Sequence, residues 1–339
     1  MSSMPAESID VWEALSAYSD SYTCYSSALA TWTSLGADAA HWQQLINAGL
    51  WLAVVRDGEQ RFGFSHFEPG LQGRLRLARA GSSDGAMEAV DGVLAELGRS
   101  GRVIVAGDGF NLPWHVAHGR RHVPHWYVLA GAADAPEVLD PFACRNELGL
   151  QEIARRAVAR EELEGLLPAL PREDAVLSLR EVYAFGEPAG PSDTRPWQWF
   201  AVDDVAQPSG GSTLVPDAQG PDAIRLLAAH FREHGQDQGA YAQADDLWSI
   251  GRHRAFLARR AASVAEVNAD GQLAAWVAEH AQPLAKRWGH IAPLVMQATL
   301  ALGAGRAASS SLPDILEDLA VREQEAARAF PGSASPSSI

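Results

Sequence analysis

The sequence predicts an α+β fold, and three observations carry the prediction. Helix-like and strand-like periodicities both occur within the first 150 residues. Two of the strand-like runs are joined by residues suited to a hairpin turn. From about Pro221 to Ala304 the pattern is helix after helix. At 339 residues the chain holds one large domain or two modest ones.

The elements follow in order. Residues 1–9 read as a flexible N-terminus and residues 11 to 19 as helical. Tyr22 to Gly36 reads as an apolar helix ending at a glycine cap, and Ala39 to Ala48 as a second helix. Trp51–Val55 and Arg61–Phe64 are strand-like. Residues 84 to 98 place Met87, Val90, Val93, Leu94 and Leu97 at helical spacing, with Asp84 as the expected N-cap. Arg102–Gly107 is a short apolar run bounded by glycines, which predicts a buried strand. A loop from Asp108 to Pro113 follows. His125–Gly131 and Glu137–Asp140 then read as the two hairpin strands. Beyond Pro141, residues 147 to 167 are expected to be helical, with strand candidates at Ala175–Leu179 and Glu181–Phe185. Residues 186–196, rich in Pro, Gly, Ser and Asp, read as a loop, and a second loop at 207–212 marks the expected boundary between a catalytic domain at 10–205 and a helical region at 215–330. Leu312 to Phe330 adds a last helix, and 331–339 reads as a disordered tail.

Composition excludes several functions. The apolar share of 47% and charged share of 20% are those of an ordinary soluble globular protein. No apolar run reaches the length that crosses a bilayer, and the N-terminus lacks a basic segment followed by an apolar one. A cytoplasmic location and no membrane partner are therefore expected. A formal net charge of −15 makes nucleic acid a poor partner, because a polyphosphate needs a basic surface. Two cysteines, Cys24 and Cys144, cannot form a zinc ribbon, and a lone disulfide is disfavoured in a reducing compartment. Neither a phosphate-binding GxxxxGK[ST] loop nor a GxSxG serine elbow is present.

Cys24 is the residue that points to chemistry. It follows the polar, turn-like segment Ser19–Thr23 and opens a helix containing Leu29, Trp32 and Leu35. A thiolate nucleophile needs a base, a group that orients the base, and donors for the oxyanion. The positive end of a helix favours the thiolate, and its backbone N–H groups face the developing charge. The amide of Cys24 is one candidate donor; Asp20, Ser21 and Tyr22 are candidates for a second. His125 opens one hairpin strand and Asp140 ends the other, close enough across the ladder for carboxylate and imidazole to meet. His115, His118, His122 and His125 form a dense group. Gly119 and Pro124 interrupt any helix that would put them on one face, and no cysteine or glutamate accompanies them at zinc spacing, so no metal is expected. His122 is the rival of His125 as base. Tyr22, Tyr25, Asp108 and His122 are expected to support or line the site, Asp108 because it follows a buried strand.

Three segments, Tyr22–Leu29, Val103–Pro113 and His125–Pro141, resemble in that order the N-terminal domain of butirosin biosynthesis protein H and its relatives. The resemblance implies a papain-like cysteine protease fold, with Cys24 as nucleophile, His125 as base and Asp140 as orienting acid. The stretch Leu247–Leu257 resembles the helical C-terminal region such proteins carry. It further implies an acyltransferase of natural-product biosynthesis, which takes an acyl group from a carrier-protein thioester to a small-molecule amine or hydroxyl. No bound cofactor is implied; the substrate rides on a phosphopantetheine arm of an acyl or peptidyl carrier protein. Hydrolysis, cyclisation or peptide cleavage with the same three residues, and an inactive binding homologue, remain open at this stage.

Overall fold

The computed structural model describes residues 6–35, 53–56, 62–65, 76–167, 196–203, 218–241 and 244–331. In chain order the strands are β1 (Ala53–Arg56), β2 (Phe62–Ser65), β3 (Arg76–Ser83), β4 (Arg102–Asp108), β5 (Pro124–Ala132), β6 (Ala135–Asp140), β7 (Cys144–Asn146), β8 (Gly149–Gln151), β9 (Ala154–Ala157), β10 (Trp197–Asp203) and β11 (Ala218–Gln219). The α-helices are α1 (Ala6–Ser16), α2 (Cys24–Ser34), α3 (Ala86–Ser100), α4 (Arg160–Leu166), α5 (Pro221–His234), α6 (Ala244–Val267), α7 (Gly271–Trp276), α8 (Gln282–Trp288), α9 (Ile291–Gly303) and α10 (Leu312–Ala329). Helices and antiparallel sheets together make the chain α+β. It divides into two compact units, Met1–Leu45 with Pro69–Gly211 and Ile46–Glu68 with Ser212–Ile339.

The first unit is built on a six-stranded antiparallel sheet of order β3-β10-β4-β5-β6-β9. Alternation along the strands gives it two apolar faces. Val103 and Val105 of β4, Tyr127 and Leu129 of β5, Val138 of β6 and Trp199 of β10 pack under α3 and α4, against Val90, Val93, Leu97, Leu163 and Leu166. The intervening residues face the other way. There Trp126 stacks on Phe200 at 4.9 Å, and the Arg102 guanidinium lies 3.9 Å over the ring of Trp32 from α2. The Trp199 indole is accommodated by two glycines: a Cβ at Gly81 or Gly92 would fall 2.2 or 2.3 Å from it.

Several expectations change here. The catalytic stretch expected at 10–205 is interrupted, because Ile46–Glu68 belongs to the second unit. Main-chain pairing explains this: Ala53 of β1 pairs with Gln219 of β11, far along the chain. A helix already runs from Ala6, within the stretch 1–9 expected to be flexible. The helix expected at 147–167 is reduced to α4, preceded by β8 and β9. Gly149 takes a φ of 135°, which no helix allows, and β9 is held by the β6 ladder and by the Arg155–Glu137 ion pair at 3.0 Å. Gly85, not Asp84, occupies the N-cap of α3. The Ser83 hydroxyl accepts the Gly85 N–H at 3.0 Å and donates to Glu88 of the first turn at 3.1 Å. The helix expected at 39–48, the strands expected at 175–185 and all but the first residue of the tail at 331–339 lie outside the described residues.

The second unit contains the three-stranded antiparallel sheet β11-β1-β2 and helices α5 to α10. Gly271 to Trp288 runs through α7, a π-helical turn at Val277–Ala281, and α8. In its interior Arg254 of α6 and Glu323 of α10, each about 1% exposed, form a two-point ion pair of 2.7 and 3.0 Å. The Trp288 indole donates to the same carboxylate at 2.7 Å. No helix among the described residues is long and apolar enough to cross a membrane.

Candidate active site

Cys24 is placed by a capping box. Thr23, in extended conformation, is the N-cap of α2; its hydroxyl accepts the Ser26 N–H, and the Ser26 hydroxyl accepts the Thr23 N–H at 2.9 Å. Cys24 is thus the first helical residue, so its amide has no acceptor within the helix. Cys24 is in no disulfide and is only 5% exposed. Tyr22 and Tyr25 are buried on either side of it in sequence. The segment before Cys24 is tied to the segment after Asp140 by a backbone bond, Ala143 N–H to Ser19 C=O at 3.0 Å.

The register positions the other two residues. β4 and β5 pair from Arg102↔Ala130 to Asp108↔Pro124, and β5 and β6 pair through Val128↔Leu139 and Leu129↔Val138. By alternation His125, Tyr127 and Asp140 lie on one face of the sheet. The His125 Nε2–H donates to Asp140 Oδ2 at 2.7 Å, with both side chains buried. The Cys24 thiol is hydrogen-bonded to the same imidazole. With Nε2 committed to Asp140, Nδ1 is the nitrogen that faces sulfur. Cys24, His125 and Asp140 are therefore brought together in series.

Burial alone would push the His125 pKa down, and it is the largest single influence. The charge and hydrogen bond of Asp140, followed by the hydrogen bond and charge of Cys24, outweigh it, so the pKa rises from 6.5 to about 9. The imidazolium is the favoured form at neutral pH. Asp140 is fully buried and is itself held by three donors. Besides His125, Oδ2 accepts the Trp114 indole N–H at 2.9 Å, and Oδ1 accepts the Phe142 N–H at 3.2 Å. Burial, then the Asp140 charge, raises the Tyr127 pKa, so its hydroxyl stays protonated and donates to the Leu166 carbonyl at 2.9 Å.

Asp108 and His122 form a separate pair. Asp108, opposite Pro124 in the ladder, points to the face away from His125. Its Oδ1 accepts the N–H groups of Phe110 and Val123, both at 3.0 Å, and its Oδ2 accepts from His122 Nδ1 at 2.5 Å. It pins both ends of the loop 109–123. His122, 74% exposed, stacks on Phe110 at 4.4 Å. The rival base is thus engaged by a different carboxylate from the one that holds His125.

Two neighbours of the site escape a reading of the sequence. Trp114, which orients Asp140, sits in an irregular loop, and its only signal is an indole N–H that needs a partner once half-buried. His115 lies edge-on to His125, with ring centroids 4.5 Å apart, and its Nδ1 accepts the Ala117 N–H at 3.0 Å. Among the described residues no group of histidine, cysteine and carboxylate is arranged to hold a metal ion.

A comparison with models of known protein families gives no match, and a comparison with curated proteins gives none.

Proposed function

We propose that this chain is a cysteine-dependent acyltransferase of papain-like architecture, which takes its acyl group from a thioester carried on a phosphopantetheine arm. The single observation that carries the reading is the series Cys24–His125–Asp140, buried, with the thiol at a helix start and the imidazole pKa raised to about 9. A sulfur beside an imidazolium is held ready as thiolate.

The thiolate attacks the thioester carbonyl, and the oxyanion develops towards the first amides of α2. Collapse of the tetrahedral intermediate breaks the bond to the arm, whose departing thiolate takes the proton of His125. An acyl group is left on Cys24 and His125 is neutral. An incoming amine or hydroxyl then attacks the acyl carbon and gives its proton to His125, and Cys24 departs as thiolate. Asp140 holds the ring in one orientation and stabilises its charged form throughout. Water in place of the acceptor would give hydrolysis, so burial of the sulfur favours transfer.

The test is incubation with an acyl-pantetheine thioester followed by intact-mass measurement, with and without an added amine. Wild type gains the acyl mass, Cys24→Ala does not, and the amine discharges the adduct as amide. Absence of adduct and of thiol release in wild type, as in Cys24→Ala, would refute the proposal; discharge only to free acid would make the protein a thioesterase.

A further inference from the structure

In a chain with 42 Asp and Glu residues against 27 Lys and Arg, a half-buried arginine should find an acid. Arg102, the first residue of β4, finds none among the described residues. Its guanidinium lies 3.9 Å over the ring of Trp32 from α2, and its Nε is buried without an acceptor. Burial lowers the Arg102 pKa, and no neighbouring carboxylate acts in the other direction. The two nearest acids along the chain are committed elsewhere. Both oxygens of Glu96 accept from Arg99, at 2.9 and 2.7 Å, and both oxygens of Asp108 hold the loop 109–123.

The arginine is held in place. The Ser100 hydroxyl accepts the Arg102 N–H at 3.4 Å and donates to the Arg102 carbonyl at 2.5 Å, and the residue pairs with Ala130 of β5. Trp32 is 9% exposed, and its indole N–H is likewise buried without an acceptor among the described residues. Stacking on the indole positions the guanidinium but neither balances its charge nor fills its N–H groups. We propose that Arg102, stacked on Trp32, forms a binding site for the carboxylate of a small molecule. A guanidinium fork meets the two oxygens of a carboxylate with parallel N–H bonds, and a single positive charge balances a single negative one. The site is distinct from that of Cys24. Trp32 is eight residues after Cys24 along α2, about 12 Å of helix rise, and Arg102 is at the opposite end of β4 from Asp108 and the loop that leads to His125. The inference goes beyond the acyltransferase reading and stands without it.

The experiment follows thermal unfolding of the full chain during a titration with sodium acetate, with sodium chloride holding the ionic strength constant. A parallel series uses inorganic phosphate. The wild-type midpoint is expected to rise saturably, by about 3–6 °C when acetate reaches about ten times its Kd. Arg102→Gln should show no rise, and in chloride it should be no less stable than wild type, because it loses no hydrogen-bonded partner. Arg102→Lys keeps the charge without the fork, and Trp32→Phe keeps a ring without the indole donor; each should show less than half the wild-type rise. Every shift is read against the same variant's midpoint in chloride, so a general change in stability does not imitate the result. No saturable rise in wild type, or a rise of equal size in Arg102→Gln, overturns the site. A larger rise with phosphate than with acetate overturns the carboxylate assignment.

Discussion

Replacing Asp140 by Asn tests the electrostatic core of the site with almost no change in shape. In the wild type the His125 pKa stands at about 9 instead of 6.5, a preference for the imidazolium of roughly 3 kcal/mol. Burial opposes that preference, and the charge and hydrogen bond of Asp140 are the largest of the influences that overcome it. Without the carboxylate charge, burial is opposed by Cys24 alone, and the pKa should fall to 6.5 or below. At about pH 8 most wild-type molecules carry the imidazolium, while about 3% of the variant would, a loss of roughly thirtyfold in the reactive pair. The assay is the pH dependence of Cys24 acylation by an acyl-pantetheine thioester. Wild type should keep its rate up to about pH 9 and lose it above, because the departing thiolate needs the His125 proton. The variant's upper limb should move down by two units or more. Stability follows with the same sign. A pKa raised on folding contributes in full below 6.5, and the contribution disappears as pH rises through about 9. Denaturant midpoints of wild type should therefore drop across that window and those of Asp140→Asn should stay flat. An upper limb that stays near 9 in the variant would show that Asp140 is not what holds His125 charged.

Four other substitutions have definite expectations. Trp114→Phe removes one donor to Asp140 and keeps the ring that meets Tyr127 edge-on at 5.5 Å; acylation should slow by about tenfold, less than in Asp140→Asn, with the fold intact by circular dichroism. Gly92→Ala puts a methyl group 2.3 Å from the Trp199 ring and should cost about 1–3 kcal/mol in urea unfolding, while Gly98→Ala on the same helix, whose nearest neighbour is the Ala133 side chain at 3.7 Å, should cost less. Glu323→Gln removes the carboxylate that pairs at two points with the buried Arg254 guanidinium and should destabilise the second unit by about 3–5 kcal/mol, read as an earlier thermal transition.

What the sequence discloses about the site depends on how local the cause is. Cys24 was legible because a turn-like polar segment and an apolar helix are both within a few residues of it; the capping role of Thr23 is visible only in the structure, where the helix starts at Cys24 and not at Tyr22. His125 and Asp140 were legible because a short hairpin fixes which strand ends are neighbours, and the observed turn of Ala133 and Asp134 does so. The division of the chain was not, since the pairing that draws β1 away joins Ala53 to Gln219 and leaves no mark near either. The helix expected at 147–167 failed for a related reason: its Glu and Arg residues favour a helix locally, but Arg155 and Arg156 lie opposite Leu139 and Val138 in a sheet that local propensity does not see.

Trp114 and His115 show a further limit, and it bears on how the site works. Both lie in the loop between β4 and β5, where no periodicity says where a side chain points. A carboxylate buried as completely as Asp140 is costly unless its oxygens are filled, and His125 fills only one position. The indole of Trp114 and the amide of Phe142 supply the remaining donors, and they let the charge persist inside the fold. That charge keeps His125 protonated, which is the form the proposed reaction needs beside the Cys24 sulfur. The loop that carries Trp114 also carries Arg120 and Arg121, and Asp108 anchors it at both ends. The segment that orients the acid is thus held from its two ends by one carboxylate, so loosening the loop at Asp108, as in Asp108→Ala, should slow Cys24 acylation, read by intact mass, although Asp108 faces away from His125.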